Sequence, residues 1–107
     1  MTETTAAIRQ LNDSFRKHLA GGRILVTPGL SDRPDLASII KTVSSFEEFD
    51  TDNDPYGEHD FGAFDHEGNK IFWKIDYYDR TLTFGSPDPA NPSVTTRVLT
   101  VMLADEY

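Results

Sequence analysis

His59 and Asp60 stand side by side at the start of one β-patterned segment, and Asp76 falls in the next. An imidazole beside carboxylates suits proton transfer. Two carboxyl groups held at fixed separation with unlike pKa values suit general acid–base work. The same residue types ligate zinc, manganese or iron. One reading is therefore a small enzyme or metal-dependent protein using His59, Asp60 and Asp76. Spacing weakens it. Glu58-His59-Asp60 and Asp65-His66 sit near opposite ends of one strand. His59 and His66 then face opposite ways and lie about 23 Å apart if extended. Asp60 and Asp76 also suit ordinary cross-strand pairing with Lys70 or Lys74. No nucleophile elbow, phosphate loop or dinucleotide fingerprint occurs, so no catalytic residue and no cofactor is assigned.

Asp50-x-Asp52-x-Asp54 matches the first three positions of a calcium loop, where hard oxygens must converge in a tight turn. The match stops there. Pro55 stands where that loop needs glycine, and Phe61 where it needs a bidentate glutamate. No metal site is assigned.

Both motifs belong to a larger feature. Between Phe46 and Glu67 the chain carries nine of its eighteen carboxylates and no Lys or Arg. Acids at Glu47, Glu48, Asp50, Asp52, Asp54, Glu58 and Asp60 form one uncompensated field, with Tyr56 among them. Loops present such fields to partners, and the field steers association. Phe72 and Tyr78, flanking Lys74 and Asp76, add an aromatic platform if their sheet face is open. The leading reading is a non-catalytic acidic binding protein that docks a basic protein surface. One version is a decoy that presents carboxylates where a nucleic-acid-binding protein expects phosphates. A restriction enzyme or CRISPR effector of host defence would be such a target.

The totals fit this reading. The 107 residues make a single globular domain, long enough to bury a core. There is no cysteine, which excludes disulfides, thiolate metal sites and Cys catalysis. A net charge of −8 disfavours direct contact with nucleic acid or an anionic membrane, since both need Lys and Arg. No apolar run approaches a membrane span, and Met1–Gln10 lacks a signal-peptide pattern, so a cytoplasmic protein is expected.

Periodicity gives the elements that must hold these residues. Ile8, Leu11, Phe15 and Leu19 mark a helix over 4–20, capped by Thr2 or Thr4 and ended by Gly21-Gly22. Arg23–Thr27 reads as a strand closed by Pro28-Gly29. Asp35 caps a second helix, with Leu36, Ile39, Ile40, Val43 and Phe46 on one face. Residues 50–57 form a loop. Strands follow at 59–65 and 70–78, with Ile71, Trp73, Ile75 and Tyr77 facing one way. A third strand of this meander is expected at Thr81–Phe84. Asn91-Pro92 opens a last helix through Val94, Val98, Val101 and Met102. The order α-β-α-β-β-β-α implies an α+β fold, with three helices on one side of a four-stranded, mostly antiparallel sheet. Strand order and oligomeric state are left open.

At IRQLNDSFRK, DNDPYGEHDFGAF and WKIDYYDRTLTFGSPDPANPSVTTRVLTVMLADEY, the chain resembles the small bacterial proteins of domain of unknown function 3768. These occur mostly in alphaproteobacteria, often on plasmids. The resemblance implies a cytoplasmic protein of mobile-element origin. It carries no assigned activity and no catalytic residue.

Overall fold

A computed structural model of the chain describes residues 2–107. Helix α1 spans Glu3–His18. The Thr2 side chain accepts from the Thr5 N–H, and Arg16, Lys17 and His18 fill the last turn, where cations favour the helix dipole. Leu19, in the left-handed region, ends the helix before the glycines are reached. Strand β1 (Arg23–Val26) leads into a single helical turn, α2 (Pro28–Ser31). Pro28 at its first position is pre-set for helix, so Pro28-Gly29 is more than a strand end. Helix α3 covers Leu36–Ser45. Asp35 occupies its N-cap position but makes no side-chain cap bond. Strands β2 (Phe61–His66) and β3 (Asn69–Tyr78) form a hairpin. Strand β4 (Thr96–Leu103) completes the sheet.

The architecture is α+β, with three helices and a four-stranded mixed sheet in the order β1-β4-β3-β2. β4 runs antiparallel to β3 and parallel to β1.

Two further elements differ from the sequence reading. Residues 92–107 are not a helix. The Asn91 side chain does accept from the Ser93 N–H, but this cap starts only a 3-10 turn, Pro92–Val94. The chain then extends as β4, whose apolar residues are buried on both faces of the sheet. Such a strand lacks the alternation that marks a half-buried one, and its Val98 and Val101, with Val94 of the preceding turn, mimic helical spacing. The β-branched Thr95, Thr96, Val98, Thr100 and Val101 were the opposing signal. Thr81–Phe84 is not a strand. The Asp79 carboxylate accepts from the N–H groups of Thr81 and Thr83 and from the Thr81 hydroxyl, which coils the segment into a turn. The Phe84 carbonyl accepts from the Asp79 N–H at 2.8 Å, and the one β-bridge here, Tyr78 to Gly85, lies just outside the segment. The order is therefore α-β-α-α-β-β-β.

The core lies between the sheet and α1, α2 and α3. Ile71, Trp73 and Ile75 alternate into it, as expected, with Leu99 and Val101 from β4 and Phe15, Leu30, Ile39, Val43 and Phe46 from the helical side. Trp73 is fully buried, with Phe46 edge-on at 5.7 Å. Gly62 sits opposite Trp73, and a Cβ there would fall 2.3 Å from the indole nitrogen. The other face of β3 carries Phe72, Lys74, Asp76 and Tyr78, each half-buried.

Trp73→Ala should lower stability by about 3–5 kcal/mol in urea unfolding, the cost of emptying a filled aromatic site. A cost under about 1 kcal/mol would remove Trp73 from the core. Deleting 96–107 should abolish cooperative melting altogether, because β4 is the strand that joins β1 to the hairpin.

Candidate functional site

The acidic segment runs from the end of α3 to the start of β2, and its own carboxylates fold it. Asp50 accepts from the N–H groups of Asp52 and Asn53, both at 2.9 Å. Asn53 returns a bond to the Asp50 N–H at 3.0 Å and donates to the Glu48 carbonyl at 3.0 Å. Short acidic and amide side chains favour such turns because they can satisfy nearby backbone groups. Asp54 is only 7% exposed and turns inward, where it accepts from the His59 N–H at 3.1 Å. Asp50, Asp52 and Asp54 therefore do not converge on one cation position.

Helix α1 anchors the segment from below. Arg9 donates to the Gly57 carbonyl at 2.6 Å. His59 Nδ1 meets Asp13 at 2.8 Å, and its Nε2 lies 3.7 Å from Asp54. The ring stacks on Phe49 with centroids 3.8 Å apart. Both ring nitrogens are turned toward protein carboxylates, and the residue's φ of 55° sits in the left-handed region. Above this stack lies a shallow cleft of about 490 Å³, lined by Arg9, Phe49, Asp54, Tyr56 and His59 among others.

Asn12, fully buried, donates to the Glu58 carbonyl and the Tyr77 hydroxyl and accepts from Arg97. Tyr77 in turn donates to Glu58 at 2.8 Å. Burial pushes the Tyr77 hydroxyl far above its ordinary pKa. Burial is also the main cause that raises Asp60, helped by the charges of Glu58, Asp54 and Asp76.

The ten residues assigned to partner binding thus separate. Glu47, Glu48, Asp50, Asp52 and Tyr56 are exposed on the loop. Glu47 also reaches Lys17 at 3.2 Å. Asp54 is buried, and Glu58 and Asp60 are half-buried. Phe72 and Tyr78 lie on the sheet face away from the helices, with Phe72 edge-on to Phe61 and Tyr107. They belong to a different surface from the loop. His59 and Asp76 do not come together either. Asp76 pairs with Lys74 at 2.9 Å on the open sheet face, while His59 is held by α1.

Sequence reasoning missed Arg9, Asn12, Asp13 and Arg16 as parts of this construction. A signal existed. They form a polar stripe along α1 at helical spacing, which marks a face that packs against polar groups. It also missed a second His and carboxylate cluster, Asp35, His66 and Glu67, whose ligand atoms all lie within 4.8 Å of one another. The donor types suit a divalent transition metal. However, Arg33 binds both Asp35 oxygens, at 2.9 and 2.8 Å. The cation already present is a guanidinium. The cluster clamps the β2–β3 turn to the start of α3 through His66 and Asp35 at 3.0 Å.

The chain matches the family model described as Protein of unknown function (DUF3768) over residues 4–106. It belongs to that family. No curated protein and no solved structure matches it. No helix of this DUF3768 protein, among the described residues, is long and apolar enough to cross a membrane.

Two carboxylates of this family member shift in opposite directions, and that gives a pH prediction. Hydrogen bonding to Arg33, then its charge and His66, holds Asp35 at about 2. Its contribution is full above the ordinary value of 3.8 and disappears as pH falls through about 2. Asp60 is raised by burial, so its ionisation opposes folding as pH climbs above the ordinary value of 3.8. Asp35→Asn should therefore be less stable than wild type at pH 6, and Asp60→Asn more stable. Both differences should shrink toward pH 2 in denaturant titrations.

Proposed function

We propose that this protein is a non-catalytic binding protein whose loop at 47–56 docks a basic surface of a protein partner. The observation that carries the reading is the division of labour within the acidic segment. Asp50, Asn53 and Asp54 brace the loop from inside, and Glu48, Asp52 and Tyr56 point outward from it. A braced loop loses little conformational freedom on binding, so its field and its exposed aromatic are available at low entropic cost. Tyr56, 79% exposed, supplies the rigid amphipathic contact that interfaces favour.

The partner class that fits is a nucleic-acid-binding protein, with carboxylates standing where its cationic groups meet phosphates. A restriction or CRISPR component of a bacterial host is the specific form of this proposal. The net charge of −8 and the absence of Lys and Arg between Phe46 and Glu67 support it. The competing enzyme reading is weakened by the separation of His59 and Asp76.

Glu48→Lys with Asp52→Lys should leave stability within about 0.5 kcal/mol, since both side chains are exposed. Immobilised wild type should capture its partner from a bacterial lysate at low salt and release it at high salt. The double variant should fail to capture it, and the captured protein should lose nucleic acid to added wild type. Identical capture by both forms would overturn the reading.

A further inference from the structure

β1 is an edge strand of sequence Arg-Ile-Leu-Val, protected only by its shortness and by the charge of Arg23. It holds no proline, no bulge and no charge beyond its first residue. Its exposure is high for an apolar strand, with Ile24 at 37% and Leu25 at 54%. The direction of its backbone groups follows from one bond. The Thr27 N–H donates to the Val101 carbonyl of β4 at 3.1 Å. Backbone groups alternate along a strand, so Arg23 and Leu25 also face β4. Ile24 and Val26 therefore direct their N–H and C=O groups outward from the sheet.

We propose that β1 pairs antiparallel with β1 of a second copy, which joins two sheets into one of eight strands. With a two-fold axis at Leu25, Ile24 of one copy exchanges both hydrogen bonds with Val26 of the other, and the axis repeats the exchange. Four outward N–H and C=O pairs are satisfied by one another. Leu25 meets its own copy across the axis in a non-hydrogen-bonded pair, where Cα atoms approach to about 4.5 Å. Ile24 meets Val26 on the helical side.

Charge decides which edge a second copy can meet. Two copies of net charge −8 repel. β1 and β2 are opposite edges of the sheet, and the acidic segment leads into β2, so edge-to-edge contact at β1 holds the acidic segments farthest apart. The edge is also complementary to itself. Among the described residues Arg23 has no ion-pair partner. In this register Arg23 comes opposite Thr27 of the other copy. The Thr27 hydroxyl donates to the Glu106 carboxylate at 2.6 Å, on the same side of the sheet as Arg23. The pairing thus places two Arg23–Glu106 ion pairs across the axis. A depression of about 380 Å³ on the open sheet face, lined by Arg23, Leu25, Tyr78, Leu82 and Val98, meets its twin there.

Sedimentation of the full chain should give twice 12.0 kDa at about 100 µM, as a small interface of this kind requires. Leu25→Lys should give a folded monomer, checked by circular dichroism. Arg23→Glu should weaken the dimer at least about tenfold. The natural chain has no cysteine, so single cysteines report the register cleanly. Leu25→Cys should oxidise to a covalent dimer, because the expected Cα separation suits a disulfide. Arg23→Cys should not, because those positions lie far from the axis. A monomeric wild type at that concentration, a dimer unchanged by Leu25→Lys, or linkage of Arg23→Cys as fast as Leu25→Cys would each overturn the proposal.

Discussion

A single buried guanidinium ties the layers of this protein together. Arg16 of α1 is fully buried. It donates to the carbonyls of Val43 and Ser44 at 2.8 and 3.2 Å, at the C-terminal end of α3, and meets Asp13 at 3.3 Å. It lies 5.0 Å above the Trp73 ring and 5.4 Å above Phe49. Taking the charge out of water costs several kcal/mol. Hydrogen bonds to a charged group return about 1.5–3 kcal/mol each, and a desolvated cation over an indole about 2. The C-terminal carbonyls of a helix are the natural place for such a cation. The buried Nε finds no hydrogen-bond partner, which offsets part of that return. What remains is placement: one side chain fixes α1 against α3, the sheet and the base of the acidic segment together. Burial lowers the Arg16 pKa, while Asp13 opposes the shift.

The chain's periodicities revealed what water sees and concealed what it does not. α1, α3 and the alternation of Ile71, Trp73 and Ile75 were legible because each has one wet face and one dry face. β4 was not, because it is dry on both faces and so carries no alternation. Asn91-Pro92 is a true helix start, but nothing local says that only one turn follows. The site divided in the same way. Glu48, Asp52 and Tyr56 were legible as exposed. The inward turn of Asp54 was not, because it depends on His59, which Asp13 of the distant α1 holds in place. Arg16 and Asn12 were hidden for the same reason, since the partners that satisfy them are distant in sequence.

The acidic segment thus has two chemistries made from one residue type. Carboxylates that find N–H groups or an imidazole build the loop, and those that find only water give it a field. A count of acids cannot separate the two roles; a hydrogen-bond inventory does.

The position of β4 also governs how the protein must be made. It lies between β1 and β3, pairing Arg23 with Val98 and Tyr77 with Arg97, yet it is the last strand of the sheet to leave the ribosome. Until Thr96–Leu103 emerge, β1 has no neighbour in the sheet and the inner edge of β3 is unpaired. The nascent chain therefore carries unpaired apolar strands until β4 emerges, a state in which exposed apolar surface favours aggregation. A message cut short anywhere before β4 yields a polypeptide that cannot reach this fold and is left for proteolysis.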